Sequence, residues 1–402
     1  MKIIRLFFIT LILLVNSFYA LDQKRSMKIF VFASAFPQIN NVSAMNQITG
    51  LIDRGHDVRI YSFGASDFVN VQKEIIQYDL KSRMVFKMPT SFDEYDIVMF
   101  QMGHKLFDIR KTHKYKGKIV VCMRGHDITS YLKSRPHAYD EYFKSCDLFL
   151  PVCRAFKNLL INAGCPKSKI IVQHSCIDRS KFKFRKRNLP KHSMIRLVSA
   201  GRLVEKKGLI YAILSFERLI KKYPNLRYTI IGDGELKSTL QYVVRMLGLK
   251  DKIKFITWMV HEEYAAVLDK SHIFVLPSVT AQNNNQEGIA NVLKEAMAMG
   301  LLVVATQHSG NSELINHGIS GFLVPERDVA ALSDAIDFIL SSPTKWFPMQ
   351  VAAEKKVARD FDKEKENDKL EAIFYELLSK KQKGKKEKKK NKKIIRSCEN
   401  IQ

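Results

Sequence analysis

Two glutamates eight residues apart, Glu287 and Glu295, are the strongest chemical signal in this chain. They lie in Ser278–Thr306, SVTAQNNNQEGIANVLKEAMAMGLLVVAT, where Glu287-Gly288 comes just before apolar residues at helical spacing. At a rise of about 1.5 Å per residue, the carboxylates are roughly 12 Å apart along a helix, about the distance from a nucleotide sugar's hexose to its ribose. A helix N-terminus between them offers unpaired N–H groups and partial positive charge, which suits a diphosphate. Gly288 lets the backbone approach a ligand closely. The same spacing also fits an amphipathic helix with two solvent-facing glutamates, so a second signal is needed.

That signal is Gly201-Arg202-Leu203-Val204-Glu205-Lys206-Lys207-Gly208, which follows a strand pattern and opens a helix pattern. It places Arg202 and Lys207 where a diphosphate would sit, Arg as a bidentate fork and Lys as a mobile point charge. Taken alone, these residues also read as solvated surface cations in a basic protein. Ile231-Gly232-Asp233-Gly234-Glu235 is a third glycine turn after a strand, and a plain tight turn accounts for it.

The elements that must position these residues alternate. From Met27, strands are expected at Lys28–Ala33, Val58–Phe63, Ile97–Gln101, Lys118–Cys122 and Leu148–Val152, with helices at Ala44–Arg54 and Arg154–Ala163. Asp178–His192 is polar, basic and contains a proline, as a linker would. Alternation then restarts with strands Ile195–Ala200, Leu226–Ile231, Ile253–Ile256, Ile273–Pro277 and Leu302–Ala305. Helices are expected at Gly208–Lys222, Leu236–Leu247 and Ile289–Met299, and a long helical pattern runs from Trp346 to Leu378. Strands alternating with helices predict two α/β Rossmann-like domains with buried parallel sheets. The expected boundaries are 27–177, a linker at 178–193, 194–345 and crossover helices at 346–379. Ligands of such sheets bind at the carboxyl ends of the strands, here in the cleft between domains.

Composition narrows the partners. The chain has 402 residues and a formal charge of +26. Lys380–Lys393 contributes ten lysines against Glu387, and the remainder still carries about +17, so the folded part is basic too. Such a surface suits phosphate-bearing ligands, nucleic acid or an anionic membrane. Six cysteines without a CxxC pair argue against a zinc site and for free thiols. Residues 1–26 have the shape of a signal peptide or a short anchor, while Met27 would itself be a natural start.

Taken together, the motifs resemble the retaining family 4 glycosyltransferases of the GT-B fold, most closely those of colanic acid and related exopolysaccharide biosynthesis. The resemblance is carried by Phe36-Pro37-Gln38, MNQITGLIDRGHDV at Met45–Val58, RGHDI at Arg124–Ile128, LPVCRAFKNLL at Leu150–Leu160 and HSCID at His174–Asp178. It continues through GRLVEKKG, the Glu287–Glu295 segment and HSGNSELINHGISGFLVPERD at His308–Asp328. It implies two Rossmann-like domains facing across a cleft, with a C-terminal helix crossing back to the first. It also implies a UDP- or GDP-sugar donor, a glycan or lipid-linked glycan acceptor, and no metal, since Arg202 and Lys207 would neutralise the diphosphate. Glu287 would contact the transferred sugar and Glu295 the ribose. Gly201 and the N–H groups of Gly288, Ile289 and Ala290 would cradle phosphate, and Trp258 and Met259 would flank the base. Location would be the cytoplasmic face of a membrane, held peripherally.

Some positions depart from the pattern. Arg124 stands where many members have a sugar- or acceptor-contacting His, and His126 lies two residues on; either is a catalytic candidate. Asn283-Asn284-Asn285 replaces acidic residues and Gly, Cys176 a turn Gly, and Ala290 and Leu302 prolines. The one D-x-D string, Asp360-Phe361-Asp362, reads as structural. A nucleotide-sugar epimerase of the same architecture is the alternative enzyme. The lysine tail invites a nucleic-acid reading, but no aromatic-rich RNA motif or recognition helix accompanies it, and contact with an anionic membrane fits better.

Overall fold

The computed structural model describes residues 25–38, 41–69, 71–190 and 193–379. The leader (1–24) and the lysine tail (380–402), including Cys398, lie outside the described residues. Two six-stranded sheets form, and every pairing within them is parallel. The first comprises β1 (Lys28–Ala35), β2 (Asp57–Gly64), β3 (Met84–Val85), β4 (Ile97–Phe100), β5 (Lys118–Met123) and β6 (Leu148–Pro151), in the order 3-2-1-4-5-6. The second comprises β7 (Ile195–Ala200), β8 (Leu226–Ile231), β9 (Ile253–Ile256), β10 (Ile273–Leu276), β11 (Leu302–Thr306) and β12 (Phe322–Val324), in the order 12-11-10-7-8-9. The β-branched and aromatic runs of the central strands β1, β4, β5, β10 and β11 are buried almost throughout, as a sheet covered by helices requires, while β2, β8 and β9 leave some residues partly exposed.

In the second sheet the chain winds outward from β7 to β9, then crosses back to β10. The loops after β7 and β10 therefore leave neighbouring strands in opposite directions, which is the crevice where such sheets bind ligands. Those two loops carry the glycine-lysine motif and the Glu287 segment.

The segment joining the sheets is more tightly fixed than its polar sequence suggests. Arg187 is buried, and its guanidinium donates to the carbonyls of Ser271 (2.7 Å), Arg185 (2.8 Å), Leu268 (3.2 Å) and Met299. Gln350 clamps its backbone from both sides, accepting from N–H at 3.0 Å and donating to C=O at 2.9 Å. Burial holds the guanidinium down at about 10, with Asp269 partly opposing. Arg187→Ala would leave several buried carbonyls unpaired. The expected loss is about 3 kcal/mol, read as a lower urea midpoint.

The long C-terminal helical pattern is in fact two helices, Trp346–Asp360 and 363–379, broken where Asp362 bridges to Ile177. The D-x-D string sits at that break. Asp360 pairs with Arg359 and Lys356, and Asp362 accepts from the Glu364 N–H, so both aspartates serve helix ends. The second helix returns to the first domain, where Leu370, Ile373 and Phe374 enter the core under β1 and β2. There Asn367 donates to Asn46 C=O at 3.0 Å, in space that any Cβ on Gly50 would occupy.

The domains meet along one seam. A single buried cluster contains Val152, Cys153 and Phe156 of the first domain and Ile289, Ala290 and Leu293 of the second. Helix Arg154–Asn162 has Cys153 at its N-cap, with no side-chain bond to the helix. Its first N–H is taken instead by Glu313 of the other domain, at 2.6 Å. Glu313 also meets His174 at 3.1 Å, and His174 faces Glu366 at 3.7 Å. Burial opposes charge on His174, yet the two carboxylates raise its imidazole above the ordinary value.

Candidate active site

The loop after β7 is set by glycines that no other residue could replace without rearrangement. Gly201 and Gly208 take φ of +140° and +61°, and a Cβ on Gly208 would lie 1.9 Å from the Pro277 carbonyl oxygen. The turn at Gly232–Gly234 supports this loop, as Leu203 N–H donates to Asp233 C=O at 2.8 Å and a Cβ on Gly232 would meet Gly201 O at 2.0 Å. The two glycine turns are therefore one packed unit.

From it, Lys206 and Lys207 point inward and are both nearly buried, while Arg202 is exposed at the rim. Lys207 lies along Gly201 and reaches Glu287 Oε2 at 2.7 Å; Lys206 stands 3.7 Å from the same oxygen. Burial alone would raise the Glu287 carboxyl, but Lys207 and Lys206 outweigh it and hold the group well below the usual carboxylate range. Burial lowers Lys206, with Glu287 opposing. Sequence reading chose Lys207 and Arg202 and passed over Lys206, because its neighbour matched the family position.

The loop after β10 ends in helix Asn291–Ala298. Among the described residues, the N–H groups of Gly288, Ile289 and Ala290 have no hydrogen-bond partner. The Glu287 N–H is not among them, since it donates to His308 Nε2 at 3.0 Å. Gly288 serves a purpose the spacing did not reveal: a Cβ there would lie 2.7 Å from Val152 Cγ2, so its lack of a side chain lets the domains touch. Asn284 takes φ +62°, so an asparagine supplies the left-handed turn for which a glycine was expected.

Glu295 is placed on the same helix but is buried, beside the Tyr264 hydroxyl. Burial pushes its carboxyl up to about 7, partly offset by Tyr264, Lys294 and Lys207. It therefore sits within electrostatic reach of the cluster rather than on a solvent-facing helix side. Trp258 is 44% exposed just beyond the edge strand β9, an open aromatic face, and Met259 packs against the domain core beside it.

On the opposing domain, the Arg124 guanidinium is engaged by Gln47 Oε1 (2.7 Å), Gln101 C=O (3.1 Å) and the Gln101 side chain. His126 is exposed, bonded to Ser130 at 2.7 Å, with its ring 5.2 Å from that of His104. The organiser of this loop is Asp127, which sequence reading missed. It is fully buried and accepts the N–H groups of Gly103, Arg124 and Gly125 at 2.8–3.1 Å. The opposing loops touch directly, as Gln286 N–H donates to Thr129 Oγ1 at 3.3 Å.

Five cysteines (Cys122, Cys146, Cys153, Cys165 and Cys176) are free and buried. No group of three or more His, Cys, Asp or Glu residues converges as a metal would need, among the described residues. No helix among them is long and apolar enough to cross a membrane.

Two facing parallel-sheet domains, a helix crossing back, and a cation–carboxylate cluster at the switch point of the second sheet define a GT-B glycosyltransferase. Residues 180–359 match the family described as glycosyl transferases group 1. The chain is 30% identical over 392 residues to the amylovoran biosynthesis glycosyltransferase AmsK of Erwinia amylovora, covering 84% of this chain and 96% of that one. It is 29% identical to the putative colanic acid biosynthesis glycosyltransferase WcaL of Salmonella typhimurium, over 87% and 99% of the two chains. The chain belongs to the glycosyl transferases group 1 family. Among solved structures, Anabaena HepE in complex with UDP superposes with a TM-score of 0.73 at 18% identity, over 87% of this chain and 100% of that one. A Rickettsia africae glycosyltransferase gives 0.72 at 18% identity, over 88% and 99%.

Proposed function

We propose that this enzyme transfers a hexose, with retention, from a nucleotide-diphosphate sugar to a growing exopolysaccharide or its lipid-linked precursor. The observation that carries the donor reading is the pairing of Lys207 and Lys206 with Glu287 beside the unpartnered N–H groups of Gly288–Ala290. A diphosphate entering there meets two ammonium groups, the Arg202 guanidinium and a helix N-terminus. Glu287 is then released from Lys207 to accept hydroxyls of the sugar, and Glu295, in the middle of the helix that follows, serves the ribose. Trp258 offers its face to the base. The bond from the anomeric carbon to the diphosphate breaks, the acceptor oxygen bonds to that carbon, and its proton passes to the leaving phosphate. The protein's part is alignment and stabilisation of the departing charge, with Lys206, Lys207 and Arg202 as the cations. The names of the relatives AmsK and WcaL support an exopolysaccharide acceptor.

A screen of UDP- and GDP-sugars for hydrolysis and thermal stabilisation tests the reading. One donor should stabilise the protein and turn over. Lys207→Ala should weaken its binding by ~10–100-fold, the value of a charge-assisted phosphate contact. Wild-type protein that binds no nucleoside diphosphate in calorimetry would refute the proposal.

A further inference from the structure

We infer that His308, backed by Glu326, is a positioning residue that fixes the Glu287 carboxylate for the sugar-transfer step. This rests on the donor reading above and deepens it.

His308 is almost fully buried and touches the Glu287 loop through its ring. Nδ1 faces Glu326 Oε1 at 2.6 Å, and Nε2 faces the Glu287 N–H at 3.0 Å. A peptide N–H only donates, so Nε2 must accept and Nδ1 must carry the proton, which it gives to Glu326. One tautomer satisfies both bonds. The second Glu326 oxygen accepts the Thr280 N–H at 2.8 Å. Thr280 and Glu287 stand at the two ends of one loop, so the His308–Glu326 pair ties both ends to a single carboxylate.

The neighbouring backbone adds a second point. Gly310 N–H donates to Gly288 C=O at 3.1 Å, so segment 308–310 grips the chain on both sides of Glu287. Ser309 between them takes φ +46°, a left-handed conformation unfavourable for a serine, which lets both neighbours face the same loop. Held this way, Glu287 Oε2 lies 2.7 Å from Lys207. The side chain that must meet the sugar's hydroxyls thus has its backbone fixed from a different strand–helix connection, 21 residues on in sequence. His308 also removes the Glu287 N–H from the phosphate cradle, leaving that task to Gly288, Ile289 and Ala290.

The test uses the full chain with the donor found by the screen, comparing wild type, His308→Leu, His308→Gln, Glu287→Ala and Glu287→Ala with His308→Leu. His308→Leu should lower kcat by ~10–100-fold, the cost of a misplaced catalytic contact, while the Kd for UDP alone stays within about twofold. His308→Gln, whose amide oxygen can accept the Glu287 N–H, should recover most of that loss. Adding His308→Leu to Glu287→Ala should change the residual turnover by less than about threefold, because both act through one carboxylate. Parallel losses in kcat and UDP affinity, a Gln variant as damaged as Leu, or multiplying effects in the double variant would each overturn the inference. An active wild type with an equally active His308→Leu overturns it alone; an inactive wild type overturns the donor reading with it.

Discussion

Glu287→Ala will bind UDP at least as tightly as the wild type while losing ~100–1,000-fold in turnover, the range seen when one preorganised contact to a reacting group is removed. The two effects separate because of what Glu287 touches. Its carboxylate is the counter-ion of Lys207 and Lys206 in the described cluster. Removing it leaves two nearly buried ammonium groups without a local anion, an arrangement a diphosphate relieves. Calorimetry with UDP reads the first effect and donor turnover the second. Glu287→Gln, which keeps the shape and loses the charge, should follow Ala in turnover. Retained turnover in both variants would remove Glu287 from the sugar site.

Glu295→Gln will be more stable than the wild type at pH 8 and equal to it at pH 4. The Glu295 carboxyl is pushed from an ordinary 4.5 up to about 7, chiefly by burial. Between those values the folded chain keeps a proton that the unfolded chain has released, so stability falls as pH rises through that window and levels off above about 7. Below 4.5 both states are protonated and no penalty exists. Glutamine imitates the protonated form, so its gain above pH 7 is about 3 kcal/mol, measured by urea unfolding across pH. UDP affinity should run the opposite way. On the proposed ribose contact, a carboxylate accepts from both ribose hydroxyls more strongly than a protonated carboxyl or an amide, so wild-type binding should strengthen as Glu295 ionises and the Gln variant should show no such rise. A wild-type stability curve that is flat from pH 5 to 8 relative to Glu295→Gln would contradict this.

The fold was legible because its signals are local. Strands Ile195–Ala200, Leu226–Ile231 and Ile253–Ile256 have the ends that hydrophobic periodicity assigned, since apolar residues mark both ends of each while Arg196, Arg227 and Lys254 fall at less buried positions. Periodicity missed β3 and β12, of two and three residues, because edge pairings so short leave no pattern. The Trp346–Leu378 pattern hid its break, as Asp360-Phe361-Asp362 keeps helical spacing while Asp362 turns aside to pair with Ile177. At the site, Glu287, Lys207 and Gly201 could be found because loop, glycine and charge adjoin in sequence. His308 and Glu326 could not, since their partner lies on another connection and only the fold joins them. Asp127 was within the quoted RGHDI string, yet a carboxylate that collects backbone N–H groups is indistinguishable in sequence from one facing water. The Arg124 guanidinium, engaged by Gln47 and Gln101, holds two first-domain elements together at the cleft wall.

The bond from Glu313 to the Arg154 amide has a consequence for how the two halves move. A helix normally finishes its own first turn with a nearby side chain, but here the finishing group belongs to the opposite domain. Swinging the halves apart would unfasten that turn and strip His174 of one of its two carboxylates in the same motion. The Arg154 amide proton would thus report any such opening, since it keeps its acceptor only while the halves are together.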